Sequence, residues 1–248
     1  MSQPPSSCRR IAFFGGSFDP PHLGHLAVAR AARAALGLDT VLFAPVGAQP
    51  LKPAGSTAGF EDRVAMTRLA IADEPGFALS LADAPKPTGA PNYTLETLQS
   101  LRMELPPESK LYCLMGADSF VGLQHWHRAA EIPFIASLIV ASRPGLPLDG
   151  LKALLPPGLT MEPAAASDLA ELNVENSNVE ARCYSLLNQA GQGAPFYLLP
   201  GLDVEISASQ IREQAREQMC NAPGSEAAGI GLLPEAVSDY VRAHGLYC

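Results

Sequence analysis

The chain has 248 residues, 47% of them hydrophobic and 17% charged, enough to bury a sizeable core as one large domain or two small ones. A formal net charge of -8 excludes a general nucleic-acid or membrane-surface binder, because phosphate backbones are held by massed Lys and Arg, so an anionic ligand must be met by a local cluster. The five cysteines (Cys8, Cys113, Cys183, Cys220 and Cys248) are scattered and never in C-x-x-C spacing; they read as reduced thiols of a cytoplasmic protein. The first ten residues include two arginines, but only four apolar residues follow before Gly15, too few for a signal-peptide core. No apolar run is long enough to span a bilayer.

Residues 1–9 are expected to form a flexible tail. Short apolar runs bounded by turn residues then recur: "IAFF" (11–14), "VLFAPV" (41–46), "FALSLAD" (77–83), "KLYCLMG" (110–116), "SLIVAS" (137–142) and "FYLL" (196–199). Between them lie stretches with helical spacing, such as Val64, Ala65, Leu69 and Ala72, or Leu95, Leu98, Leu101 and Leu105. Alternation of this kind predicts an α/β fold, a Rossmann-like doubly wound parallel sheet covered on both faces. Residues 146–195 are rich in Pro, Ala and Gly, with one helix expected near "NVEARCYSLLNQAG" (178–191), and read as an elaboration of the same domain. Residues 206–248 form a small helical C-terminal part, in which "LLPEAVSDYVRAHGLY" puts Pro234 at a helix start and Gly245 just past its end. The whole of 1–248 is taken as a single domain.

The stretch "GGSFDPPHLGHL" (15–26) sits where the first strand turns into its helix, and in parallel α/β sheets ligands bind beyond the carboxyl ends of the strands. Gly15 and Gly16 allow a tight turn and close approach to a ligand, and "DPPH" stiffens the chain before a helix starting near Leu23. The free N–H groups and positive end of that helix make a phosphate site. His22 and His25, three apart, would share one face and offer two imidazole donors to a phosphate gaining charge; the alternative is a capped loop with two surface histidines. No carboxylate or cysteine stands at metal-ligand spacing, so no protein metal site is expected, and the dinucleotide fingerprint G-x-G-x-x-G is missing.

"GGSFDPPHLGHL" resembles the first signature of the nucleotidylyltransferase superfamily, G-x-S/T-F-D-P-x-H-x-G-H. "ISASQIR" (206–212), about 180 residues later, matches the second, I-S-A/S-S/T-x-I-R. "PNYTLETLQSLR" (91–102), "MGADSFVGLQHWHRAAEI", "IVASRPG" and "LLPEAVSDYVRAHGLY" are similar to segments of one family within it, the bacterial nicotinate-nucleotide adenylyltransferases. The resemblance spans the chain apart from about 146–195. It implies AMP transfer from ATP to nicotinate mononucleotide, giving nicotinate adenine dinucleotide and pyrophosphate in NAD biosynthesis, with Mg2+ bound with the ATP.

On this resemblance Gly15, Gly16 and Ser17 lie along the nucleotide phosphates, and His22 and His25 hold the ATP phosphates and the transition state. Ser209 and Arg212, on the first turn of a helix that Ser207 can cap, converge on the β- and γ-phosphates. Asp118, at the end of the strand "KLYCLMGAD", accepts from the ATP ribose hydroxyls or caps the next helix. Trp126, the only tryptophan, on a predicted helix, stacks on the pyridine or is core. Tyr93 and Thr94 open the "NYTLETL" helix, and backbone N–H groups there and near His127 hold the nicotinate carboxylate; Arg143 is a further phosphate candidate. Lys52 keeps its place in "QPLKP", but Leu51 stands where the family commonly has a histidine, which puts any step needing that histidine in doubt.

Rivals are a sibling acting on phosphopantetheine or glycerol phosphate, one using nicotinamide mononucleotide, and a non-catalytic nucleotide-binding module. The expected partners are ATP and nicotinate mononucleotide, with no nucleic acid and no membrane. A homo-oligomer is one of the alternatives for the assembly state.

Overall fold

The structure, a computed structural model, describes residues 9–51, 55–142, 148–164, 166–172, 179–202, 207–221 and 231–248. Strands and helices alternate: β1 (Arg10–Gly16), α1 (Leu23–Leu36), β2 (Thr40–Pro45), α2 (Phe60–Ala70), β3 (Phe77–Leu79), α3 (Thr94–Glu104), β4 (Lys110–Gly116), α4 (Ala117–Val121) and α5 (Ile132–Ile135). They continue as β5 (Ser137–Ala141), α6 (Leu148–Ala153), β6 (Leu159–Pro163), α7 (Ala166–Leu169), β7 (Arg182–Asn188), β8 (Gly193–Leu199), α8 (Ala208–Asn221) and α9 (Glu235–Ala243). The strands form one eight-stranded sheet in the order β3-β2-β1-β4-β5-β8-β7-β6. From β1 through β4 and β5 to β8 the pairing is parallel, with Phe13 opposite Cys113, Leu114 opposite Ile139 and Val140 opposite Leu198. The α/β, Rossmann-like architecture expected from the alternation is the one observed. Among the described residues no helix is long and apolar enough to cross a membrane.

Leu111–Met115 and Leu138–Ala141 are buried without a break, as unbroken apolar runs must be when both faces of a parallel strand are covered. In α1 the stripe Leu26, Ala29, Ala32 and Leu36 is buried while Arg30 stays exposed. The helix stops at Gly37, whose φ of +58° is the left-handed conformation a glycine adopts at least cost.

Three expectations are corrected. Residues 178–191 do not make a helix: 182–188 are strand β7, antiparallel to β8 (Tyr184 opposite Phe196) and to β6 (Met161 opposite Leu186). Cys183, Leu186 and Leu187 imitate helical spacing, but the Asn188 carboxamide oxygen accepts from the N–H groups of Ala190 and Gln192, and Gly191 takes φ +76°, which closes a hairpin instead. The elaboration is therefore an antiparallel extension of the sheet. The strand expected over 77–83 shrinks to Phe77–Leu79, since Leu81 to Ala84 turn back through an Ala84 N–H bond to the Leu81 carbonyl. Finally, the buried face of α2 is Arg63, Val64, Met66, Thr67 and Ala70, with Leu69 exposed, so a charged residue lies in the stripe that apolar spacing alone would assign elsewhere.

The chain divides into two compact units. One comprises Met1–Phe14, Val28–Leu42 and Tyr93–Asp203; the other comprises Gly15–Ala27, Phe43–Asn92 and Val204–Cys248. The first is built on β4, β5 and β8, with Phe13, Phe120 and Phe196 buried; each large side chain of this kind contributes about 1.5–3 kcal/mol. At its other pole Glu171 accepts from Lys110 Nζ (2.5 Å), Tyr112 Oη (2.8 Å) and Tyr197 Oη (2.9 Å). The second unit is organised around Phe18, Phe43, Arg63, Met66, Val237 and Val241.

Candidate active site

In the second unit the segment that follows β1 is held from several directions. Phe18 is buried with φ +47°, an arrangement costing a non-glycine residue roughly 1–2 kcal/mol. Its ring meets His25 edge-on at 4.9 Å and Phe43 at 5.5 Å, so packing fixes the strained turn. A Cβ on Gly16 would press on that ring at 3.3 Å, which explains the second glycine of the pair. Ser17 Oγ accepts from Gln49 Nε2 at 3.1 Å.

His22 immediately precedes α1, and its carbonyl accepts from His25 N at 2.9 Å and Leu26 N at 3.4 Å. Its own N–H donates to His25 Nδ1 at 3.2 Å, and the two rings stack at 3.7 Å. With Nδ1 accepting, neutral His25 carries its proton on Nε2. His22 is buried and its Nδ1 has no hydrogen-bond partner among the described residues, a penalty that a polar ligand would remove. Burial lowers the His22 imidazolium to about 4, and burial reinforced by the His22 charge holds His25 well below the usual range. Both act as neutral hydrogen-bonding rings near pH 7. The expectation that the first turn of α1 leaves its N–H groups free is corrected in part: Leu23 N donates to the Leu232 carbonyl, and His25 N to His22.

Asp19 ties the same unit together. Its carboxylate accepts from Thr57 N (2.6 Å), Ala58 N (3.0 Å) and Tyr247 Oη (2.9 Å), while its carbonyl accepts from Arg212 NH1 at 2.7 Å. Arg212 NH2 also donates to Ser209 Oγ at 3.2 Å. Helix α8 starts with a reciprocal cap, Gln210 N to Ser207 Oγ (3.2 Å) and Ser207 N to Gln210 Oε1 (3.3 Å). Arg63, 2% exposed, donates to the carbonyls of Ser17 (2.7 Å), Val46 (2.8 Å) and Ala58 (3.3 Å). Burial lowers its guanidinium, and the Asp19 charge opposes that shift. Of the residues expected in the phosphate cluster, Gly15, Gly16, Ser17, His22, His25, Ser209 and Arg212 fall in this one unit. Phe18 and Asp19, which build it, stand in the "SFDPPH" signature with no site role assigned to them, and Arg63 and Tyr247 stand in no site motif. A charged residue inside an apolar helical stripe, "EDRVAM", was the available signal for Arg63.

In the first unit, Tyr93 precedes α3 in extended conformation and gives the helix no side-chain cap, and Thr94 is its first residue. The Tyr93 ring lies 4.5 Å from that of His127. Trp126 is not on a helix: α4 ends at Val121, a 3-10 turn covers Leu123–His125, and Trp126 follows it with ψ 151°. Gly122 interrupts the helical pattern here. Trp126 is half-buried and so is not core. Asp118 is not at the strand end but is the second residue of α4, exposed, with Gly116 as the cap. Lys52 and Arg143 lie outside the described residues, as does Ile206 of "ISASQIR". Leu51 is 56% exposed.

A family model described as cytidylyltransferase-like matches residues 13–214. Among curated relatives, a probable nicotinate-nucleotide adenylyltransferase of Gloeobacter violaceus is 38% identical over 238 residues, covering 96% of each chain. One of Stenotrophomonas maltophilia is 39% identical over 240 residues, covering 95% of each. Among solved structures, Plasmodium falciparum nicotinic acid mononucleotide adenylyltransferase complexed with NaAD shares the fold with a TM-score of 0.63 at 15% identity, over 96% of this chain and 97% of that one.

Proposed function

We propose, proceeding from the fact that the chain belongs to the cytidylyltransferase-like family and within it to the nicotinate-nucleotide adenylyltransferases, that it transfers AMP from ATP to nicotinate mononucleotide in NAD biosynthesis. A phosphate oxygen of the mononucleotide forms a bond to the α-phosphorus, the α–β phosphoanhydride bond breaks, and pyrophosphate leaves with that electron pair. Such a step depends on positioning and charge stabilisation rather than on a protein nucleophile.

The observation that carries this reading is the phosphate cluster of the second unit: an orphaned, buried His22 Nδ1 stacked on neutral His25, with the Arg212 guanidinium anchored at 2.7 Å on Asp19 of the same segment. Neutral rings donate to phosphate without bringing protons that must be displaced, and the guanidinium supplies positive charge where the leaving group gains negative charge. Gly15, Gly16, Ser17 and Ser209 line the phosphates in this reading, with Lys52 and Arg143 as further phosphate ligands. Among the described residues no group of three or more His, Cys, Asp or Glu is arranged to hold a metal ion, and the Asp19 carboxylate is already committed to three donors. Mg2+ is assigned to the nucleotide, as part of the substrate, because the leaving pyrophosphate is where the chemistry needs its charge.

Tyr93, Thr94, Trp126 and His127 are assigned to the nicotinate end and Asp118 to the ATP ribose. The half-buried indole and the first turn of α3, which lacks a side-chain cap, support this. The cytoplasm is the assigned compartment, in keeping with five scattered cysteines that never stand in C-x-x-C spacing. The test is pyrophosphate release from ATP with nicotinate mononucleotide, nicotinamide mononucleotide, phosphopantetheine and glycerol phosphate as acceptors. The acid should exceed its amide by at least about tenfold in kcat/KM, roughly 1.4 kcal/mol of transition-state discrimination. Equal use of the amide, turnover with another acceptor, or no turnover would each replace this reading.

A further inference from the structure

Asp19 faces two ways. Its side chain is a terminus for three donors, and its main chain is the anchor of Arg212. Two of the three donors are the consecutive backbone amides of Thr57 and Ala58; the third, the Tyr247 hydroxyl, comes from a residue 228 positions away in sequence. From this geometry we infer that Tyr247 is a positioning residue for adenylyl transfer, acting through Asp19 on the guanidinium of Arg212. The inference rests on the reading of the reaction given above.

Three observations within the second unit carry it. Tyr247 is 6% exposed and held at φ +71°, a region a tyrosine enters only when its surroundings over-determine it, and such strain is kept where it has a use. The chain reaches that position through a turn after α9, with Leu246 N bonded to the Val241 carbonyl and Gly245 at φ +59°. Inside, the hydroxyl donates to Asp19 Oδ1 at 2.9 Å and lies 4.0 Å from Met66 Sδ. Burial first, and the Asp19 charge second, push the phenol upward, so it remains a donor throughout the working range. Arg63, beneath Ser17 and Ala58, adds positive field toward the carboxylate.

The consequence is mechanical. Removing one of three bonds from the Asp19 side chain loosens the residue whose carbonyl aims Arg212, and an ångström of misplacement at a charge-stabilising group costs up to about a hundredfold in rate. A phenol with no such role would alter only the fold.

The test is a double-mutant cycle in kcat with ATP and nicotinate mononucleotide, run well below the melting midpoint of every variant. Tyr247→Phe should lower kcat about tenfold while leaving the nicotinate mononucleotide KM within about twofold, and Arg212→Ala should lower kcat about a hundredfold. Tyr247→Phe added to Arg212→Ala should then change little, because the group it positions has gone. Should Tyr247→Phe not fold, Tyr247→Met, a flexible apolar side chain without a hydroxyl, takes its place in the cycle. Multiplying losses, or a Tyr247→Phe protein with more than half the wild-type kcat, would overturn the inference. Absence of turnover in the wild-type protein would instead overturn the reading of the reaction.

Discussion

His22 links burial to pH. Its folded value near 4 lies below the ordinary 6.5, so as pH falls below about 6.5 the unfolded chain takes up a proton that the folded one refuses. Stability from this group is complete above that pH and is lost as pH drops toward 4. At pH 5 the loss should be about 2 kcal/mol, at roughly 1.4 kcal/mol per unit. Urea unfolding at pH 7.5 and pH 5 should therefore show a smaller pH effect in His22→Gln than in wild type by about that amount; equal effects would mean the imidazole is not held neutral. For Trp126 the half-buried position separates stacking from packing. Trp126→Ala should weaken nicotinate mononucleotide binding by about 1–2 kcal/mol with the ATP KM and Tm nearly unchanged, whereas a core tryptophan would cost about 3–5 kcal/mol of stability and harm both substrates. Thermal melts and two KM values on this variant decide.

Helix α8 shows how an element delivers a site. Its reciprocal cap joins Ser207 and Gln210 across the turn that carries Ser209, and Arg212 follows two residues later, so the cap fixes where the guanidinium starts. Ser207→Ala should cost about 1 kcal/mol in urea unfolding and raise the ATP KM more than the nicotinate mononucleotide KM; an unchanged ATP KM would separate the cap from the site. The helix was legible because "ISASQIR" resembles the second signature of the superfamily, with Ser207 placed to cap it. β4 and β5 were legible because continuous apolar runs leave little choice. β7 was not, since the spacing of Cys183, Leu186 and Leu187 fits a helix and only pairing with β8 decides against it. The juxtaposition of His22 and His25 was readable because it is local in sequence. The links from Asp19 to Tyr247 and from Arg63 to Ser17 span long stretches of chain and leave no periodic trace.

At the scale of the molecule, the division into two units cuts through β1, α1 and β2, elements that each belong to both. We propose that residues 1–248 behave as one domain. A strand or helix cannot remain ordered on one side of such a cut while the other melts, so near-UV and far-UV circular dichroism should report one coincident transition; two separated midpoints would mark two domains. The antiparallel extension has its own consequence. β6 is the last strand in the sheet order, five residues long, and ends in Glu162 and Pro163, both exposed. A charge and a residue without an N–H are poor templates for another strand, so the border of the sheet resists templated addition of a foreign chain and the aggregation that would follow from it.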